Sequence, residues 1–332
     1  MSQPKTGVQR YSLGICNALL SQGVKLKVLV NRDYKNLLPE AEVIVVGRKS
    51  GVFWEQVELP AYLKKAGSPK LVNLGNVAPV SYNNNFLIVH DVATLENEKG
   101  WFSTSFRAWY RWLLPKLLKS CELATVSEFT AGRIRELTKL DEGKPLPVLH
   151  GGVFFDVNPD SVEPETNFEK PYILCVASHN PRKGLHLLID AFVDSELGAE
   201  FDLRLVGSES RHFPKMNLRE TTCFKWHRNV SDEELIALYK SARLVVVPSE
   251  YEGFGLPVLE ALYFGKPVLA NDIPVFRELF SEWIELIDCQ NRTAFSEKLR
   301  EATAAKNVKE TSREMLYSFY QTAAKLRAIL KK

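Results

Sequence analysis

Apolar and polar positions along this chain keep switching between two periods. "VQRYSLGICNALLSQG" (8–23) is apolar at helical spacing and closes on Gly23, a residue suited to a left-handed helix end. Short continuous apolar runs follow: "KLKVLV" (25–30), "AEVIVV" (41–46), "KLVNLG" (70–75) and "NFLIVHD" (85–91) read as buried strands. A helical stretch covers about 103–120, then a strand at 122–127, a helix at 128–140 and a strand into a turn at 145–152. Short apolar strands alternating with helices imply a parallel sheet covered on both faces.

The pattern lapses at "FFDVNPDSVEPETNFEKP" (154–171), rich in Pro, Asp, Asn and Glu, which reads as an interdomain linker. A second alternating half follows: strands at 172–178, 202–207, 221–227, 244–249 and 266–271, helices at 183–197, 231–242 and up to about Phe264, and a helical tail over about 293–330. The expected domains are 1–155, a linker at 156–170, 171–312, and a C-terminal helix at 313–332.

Composition adds bounds rather than identity. The 332 residues are 45% hydrophobic and 25% charged, enough for two cores. A formal net charge of +3 gives no basis for a nucleic-acid binder. The five cysteines (Cys16, Cys121, Cys175, Cys223 and Cys289) form no C-x-x-C pair, so reduced thiols in a cytoplasmic protein are expected. "MSQPKTGVQRYS" has no signal-peptide core, and no run of about 18 apolar residues suggests a membrane span.

The candidate chemistry lies in "PSEYEGFGLPVLEALYFGKPVLAND" (248–272). Glu252 sits on a double-glycine turn after a strand, and Glu260 about one turn into the next helix. Ligands of open parallel sheets bind beyond the C-terminal strand ends. Gly253 and Gly255 admit a ligand close to the backbone, Pro257 suits the first helical position, and free N–H groups at the helix start favour a phosphate. Carboxylates beside an anion site make sense as partners for hydroxyls, one for a ribose and one for a sugar. The plainer reading is two glutamates favoured by the helix dipole.

The stretch 229–272 closely resembles the E-x7-E signature region of family 4 retaining glycosyltransferases. "ILCVASHNPRKGLHLLIDAF" (173–192) is similar to that family's basic phosphate loop, "ATVSEFTAGRI" (124–134) to its serine–glutamate segment, and "TGVQRY" (6–11) to its glycine loop, which includes Gly7. The resemblance implies an α/β GT-B architecture, two Rossmann-like domains facing a cleft. It also implies an acceptor-side first domain, a donor-binding second domain, and a last helix packing back on the first. On matching positions, Glu260 would hold the donor's ribose hydroxyls and Glu252 would lie near the transferred sugar. The backbone of Gly253, Phe254, Gly255 and Leu256 would line sugar and diphosphate, and Lys183 would bind the diphosphate. The family's partner arginine often stands where this chain has Ser178. Arg182 is the substitute, against a plainer reading as a solvated helix-start charge. His90 would hydrogen-bond the sugar, with Asp91 fixing its loop or its tautomer; a lone histidine there is otherwise more often structural.

The implied reaction is retaining transfer of a hexose from a nucleotide-diphosphate sugar to a glycan or lipid-linked acceptor in surface polysaccharide synthesis. GDP-mannose is the first donor candidate and UDP-sugars the next. No metal is expected, since no D-x-D or comparable pattern appears, and no other cofactor. The alternative is an inactive sugar-nucleotide binder of the same fold. An oxidoreductase is disfavoured because no G-x-G-x-x-G follows a first strand. The family opens with a buried strand ahead of the glycine loop, which "MSQPK" is too short to supply, so this strand is expected to be missing. "GWFSTSFRAWYRWLLPKLLKS" (100–120) places Phe102, Phe106, Trp109, Leu113 and Leu117 on one helical face, expected in the core. The remaining Trp101, Tyr110 and Trp112, with nearby cations, make an anionic membrane surface a further candidate partner, and Pro115 is expected to kink or split the helix.

Overall fold

The computed structural model describes residues 6–31, 38–96, 100–208, 223–305 and 317–331. They fall into two compact units. One comprises Thr6–Leu95, Ala108–Phe154 and the C-terminal stretch from Tyr317; the other includes Glu96–Arg107 and Phe155–Leu316.

The first unit opens with α1 (Gly7–Ser21), whose N-terminus is closed by a capping box between Thr6 and Gln9. Next come β1 (Lys27–Val30), β2 (Glu42–Val45) and a composite helix, α2 (Gly51–Phe53), a π-turn (Trp54–Glu58) and α3 (Leu59–Lys65). Then follow β3 (Leu71–Asn73), β4 (Asn85–Val89), α4 (Ala93–Glu96, in this unit up to Leu95), α5 (Thr104–Ser120, in this unit from Ala108), β5 (Glu122–Thr125) and α6 (Glu128–Thr138). All strand pairs are parallel, and among the described residues they form two pieces, β1–β2 and β3–β4–β5. The expected loss of a first strand falls on residues 1–5, outside the described residues. Leu29 of β1 and Leu71 of β3 both pack on Leu59, Leu63 and Tyr82, so α3 spans both pieces. Strand β4 is buried along its whole length, against α5 through Leu113, Leu114, Leu117 and Leu118.

The second unit carries β6 (Tyr172–Val176), α7 (Leu185–Asp194), β7 (Asp202–Val206), β8 (Phe224–His227), α8 (Asp232–Ser241) and β9 (Leu244–Val247). It continues with α9 (Leu256–Tyr263), β10 (Val268–Asn271), α10 (Pro274–Phe280), β11 (Glu285–Ile287) and α11 (Arg292–Ala304). Its parallel sheet has the order β11-β10-β9-β6-β7-β8, the doubly wound Rossmann order. The chain leaves β6 toward one edge and returns to its other side with β9, so the switch point lies between them. Helices α7 and α11 bury one face over Ile173, Leu203, Leu205 and Val246. The final helix, α12 (Phe319–Leu330), belongs to the first unit and packs on α1.

The stretch read as a linker is fastened to the second unit. Asp156 N–H donates to Asp232 Oδ2 at 2.8 Å, and Lys240 Nζ to the Val162 carbonyl at 2.6 Å. Glu165 pairs with the buried Arg204 at 2.5 Å. Elsewhere, "PLPVLHGG" contributes only a bridge between Thr125 and Val148 rather than a strand. Helices α2, α3, α4 and α10 and strand β11 were not anticipated. The last two are short and open on or beside turn residues, leaving less than two periods to read. Pro115 sits inside α5 without ending it. Phe102 and Phe106 stack on each other, 5.5 Å apart and only partly buried, whereas Trp101 is buried. Trp112 is half exposed, stacked on Trp109 with Lys116 Nζ 3.6 Å above its ring.

Candidate active site

The loops that leave β6 and β9, the two strands of the switch point, converge. After β6, Asn180 caps a short 3-10 turn (Pro181–Lys183), its side chain accepting from the Arg182 N–H. Gly184 follows with φ +65°, and a Cβ there would lie 2.1 Å from the Pro248 carbonyl oxygen. Only glycine lets the basic turn approach the second loop this closely. A backbone bond from Glu250 N–H to the Arg182 carbonyl (2.8 Å) joins the two loops.

Three sequence candidates meet there. Lys183 Nζ donates to Glu252 Oε1 at 2.5 Å, Ser249 Oγ donates to the same oxygen at 2.8 Å, and Arg182 lies 3.7 Å from Oε2. Arg182 also donates to the Tyr251 carbonyl at 2.7 Å. It is buried, so the reading as a solvated charge is overturned. Burial alone would push the Glu252 carboxyl upward, but the charges of Lys183 and Arg182 and the bonds from Lys183 and Ser249 outweigh it and hold it below its ordinary range. Two cations share one carboxylate, so the cluster keeps a net positive charge that suits an anion.

Helix α9 starts beside this cluster. Gly255 is its N-cap at φ +105°, where a Cβ would meet the Phe276 ring at 2.6 Å, and it offers no side-chain cap. Pro257 occupies the second helical position rather than the first. Pro257 has no N–H and the Val258 N–H donates to the Gly255 carbonyl at 3.0 Å, so the Leu256 amide and the helix dipole are what the start offers an anion. Gly253 and Phe254 are buried in the turn, and Leu256 opens the helix. Glu260 is buried within α9 and accepts from the Tyr239 hydroxyl at 2.8 Å. Ser178 lies in the loop after β6, partly buried.

His90 and Gly7 belong to the first unit. Gly7 is the first residue of α1, and exposed. His90 follows β4; its N–H donates to Asn76 Oδ1 at 2.6 Å, and Nε2 lies 2.8 Å from the Leu74 carbonyl oxygen. Asp91 accepts from the Ala93 N–H at 3.1 Å, so it orders the loop while the Leu74 carbonyl holds the imidazole. Burial pushes the His90 pKa down, against smaller upward pulls from that carbonyl and from Asp91, which favours the neutral ring. Sequence reading passed over Ser249, Gly184 and Tyr239. Gly184 had a readable signal, a glycine directly after the basic pair. The other two had none, because their roles arise from loops and helices meeting in space. The 208–213 loop, a candidate for contact with the nucleotide base, lies outside the described residues from position 209. Among the described residues no group of three or more His, Cys, Asp or Glu is arranged to hold a metal ion. No helix among them is long and apolar enough to cross a membrane.

Two Rossmann-like α/β units in one chain, with a basic loop and an acidic helix at the switch point of the second, define the GT-B class of fold. Within that class, residues 157–318 match the family described as Glycosyl transferases group 1. The chain is 29% identical over 223 residues to the serotype-specific mannosyltransferase WbdA of Escherichia coli, covering 59% of this chain and 27% of that protein. It is 28% identical over 232 residues to the O-antigen chain mannosyltransferase RfbU of Salmonella typhimurium, covering 66% and 61%. A glycosyltransferase from Rickettsia africae has the same fold, with a TM-score of 0.69 at 20% identity, over 98% of this chain and 94% of that one. Against the WbdA proteins, matches span only 21–27% of the relative's length.

Proposed function

We propose that the protein is a retaining glycosyltransferase that moves a hexose, with mannose the first candidate, from a nucleotide-diphosphate sugar to a hydroxyl of a glycan or lipid-linked acceptor in surface polysaccharide synthesis. The observation that carries this reading is the Arg182–Lys183–Glu252 cluster at the switch point, beside the uncapped start of α9. In this reading the cations and the helix start take the diphosphate, Glu260 takes the ribose hydroxyls, and His90 takes a hydroxyl of the transferred sugar. The bond from sugar C1 to the phosphate oxygen breaks, and the nucleoside diphosphate leaves with the electron pair. The acceptor oxygen bonds C1 and its proton passes to the leaving phosphate. Negative charge grows on that phosphate, where fixed cations and dipoles lower the barrier.

Glu252 is a poor covalent nucleophile, because its carboxylate is already engaged by two cations and a hydroxyl. That favours same-face attack over a glycosyl-enzyme intermediate. The positive cluster is also the basis for proposing a metal-independent diphosphate site. Mannose rests on the names of the relatives, and the same-fold inactive binder remains the competing reading. The half-exposed Trp112 beside Lys116 supports a peripheral contact with an anionic membrane, tested by retention on phosphatidylglycerol vesicles at low salt.

The test of the reading is turnover. GDP-mannose and UDP-hexoses are each offered with polyprenyl-diphosphate-linked or free oligosaccharide acceptors, and the anomeric configuration of any product is read by NMR. A product that keeps the donor configuration supports the proposal. Nucleotide binding without transfer to any acceptor favours the inactive binder, and an inverted product rejects the mechanism.

A further inference from the structure

His90 ends a line of rings that starts on the last helix of the chain. Its imidazole meets the Tyr11 ring edge-on, with centroids 4.6 Å apart and planes at 88°. Tyr11 is buried, its hydroxyl donates to the Leu149 carbonyl at 2.9 Å, and its ring meets Phe319 edge-on at 5.4 Å. Phe319, the first residue of α12, fills a notch made by two glycines. A Cβ on Gly14 would come within 2.3 Å of its ring, and one on Gly152 within 2.5 Å of its backbone nitrogen. Polar bonds fasten α12 nearby: Thr322 Oγ1 donates to the His150 carbonyl at 2.9 Å, and Gln22 Nε2 to the Tyr320 carbonyl at 2.7 Å.

The imidazole has little freedom left. A carbonyl oxygen only accepts, so the contact with Leu74 requires the proton on Nε2 and leaves Nδ1 as an acceptor. That tautomer persists only while the ring plane stays aimed at Leu74. The backbone bond to Asn76 fixes where the residue is, not how its ring turns. The ring's flank is Tyr11, whose own tilt is set by the Leu149 bond and by Phe319.

We infer that Tyr11 and Phe319 are positioning residues for His90, so that the C-terminal helix sets the plane and tautomer of the imidazole through one intervening ring. This rests on the reading of His90 as the partner of a donor-sugar hydroxyl. Two roles can be told apart by shape. Filling space needs only volume, which leucine nearly supplies; holding a plane needs an aromatic ring. The titratable groups that face the imidazole are Asp91 and Tyr11. Burial pushes the Tyr11 phenol far up, so it stays neutral. Asp91 pulls the imidazole pKa up and is unchanged in every variant below.

The experiment is 15N NMR of the full chain labelled at histidine, with the His90 signals identified by their loss in His90→Gln. Wild type and Tyr11→Phe are expected to show the Nε2-protonated form at pH 7 and a pKa below the ordinary histidine value. Tyr11→Leu and Phe319→Leu should show mixed tautomers and a pKa raised by roughly half a unit or more, as water replaces the ring. Phe319→Met, milder in shape, serves if the leucine variant does not fold. Turnover should fall roughly ten- to a hundredfold in the leucine variants, with nucleoside diphosphate affinity unchanged. Leucine variants that stay folded and keep the wild-type tautomer and titration overturn the inference. A shifted titration with unchanged turnover sustains the positioning and removes the sugar-contact reading on which its use depends.

Discussion

Replacing Glu252 by glutamine tests the cation cluster most sharply, because the structure gives the change two opposite consequences. Glutamine keeps the shape and removes the charge that Lys183 and Arg182 share. Both cations are mostly buried, with side-chain exposures of 16% and 11%, so solvent screens the loss only in part. Removing one partner of a buried ion pair costs about 3–5 kcal/mol. The low end applies here, because two cations compete for one carboxylate and Lys183 reaches some water. Taking about 3 kcal/mol and 2–4 °C per kcal/mol for a unit of this size, the ligand-free melting temperature should fall by roughly 6–12 °C. A nucleoside diphosphate brings back negative charge at the same place. The variant should therefore gain more from the ligand than wild type does, while turnover collapses. The depressed carboxyl also sets a pH dependence. Its contribution is fully present above the unfolded glutamate pKa of about 4.3 and is lost as pH falls through the lower folded value. The stability gap between wild type and Glu252→Gln should stay flat from pH 6 to 8 and close below about pH 4. Differential scanning fluorimetry across pH, with and without nucleoside diphosphate, reads all three effects. An unchanged ligand-free melting point, or a ligand shift smaller than in wild type, would refute the reasoning.

Two further substitutions probe the supports of the site. Gly184→Ala puts a Cβ 2.1 Å from the Pro248 carbonyl oxygen at φ +65°, so the basic turn must move; we expect a loss of more than about 1–2 kcal/mol, the left-handed backbone cost alone, and weaker diphosphate binding by calorimetry. Tyr239→Phe removes the hydroxyl that Glu260 accepts from in a buried setting; it should cost about 1–3 kcal/mol by denaturant melts and weaken nucleoside diphosphates more than inorganic diphosphate, which has no ribose.

Much of this was legible along the chain, for a physical reason in each case. The parallel sheet of the second unit shows as apolar runs because its four central strands, β10, β9, β6 and β7, are buried on both faces. Glu252 and Glu260 stand out because they lie on a glycine turn and a helix start after a strand, whereas Arg182 and Lys183 stand out only through the resemblance of 173–192 to the family's phosphate loop. What was not legible depends on contacts between distant elements. Glu250 bonding Arg182 across the two loops, Tyr239 reaching Glu260, and Arg204 pinning the supposed linker through Glu165 leave no periodic trace. The aromatic helix was misjudged for a related reason. Helical spacing placed Phe102 and Phe106 on the buried face with Leu113. The helix begins only at Thr104, so Phe102 lies before it and cannot follow its period.

The most direct test of the central claim is nucleoside diphosphate binding at the switch point of the second unit. Thermal shift with GDP, UDP, ADP and dTDP, in EDTA, on wild type and Lys183→Ala, reads it in one plate. The account predicts that one nucleotide stabilises wild type in EDTA, by roughly 2.7 kcal/mol at 100 times its Kd, and that Lys183→Ala loses most of the shift. Stabilisation by none of the four, or a full shift in Lys183→Ala, would contradict it.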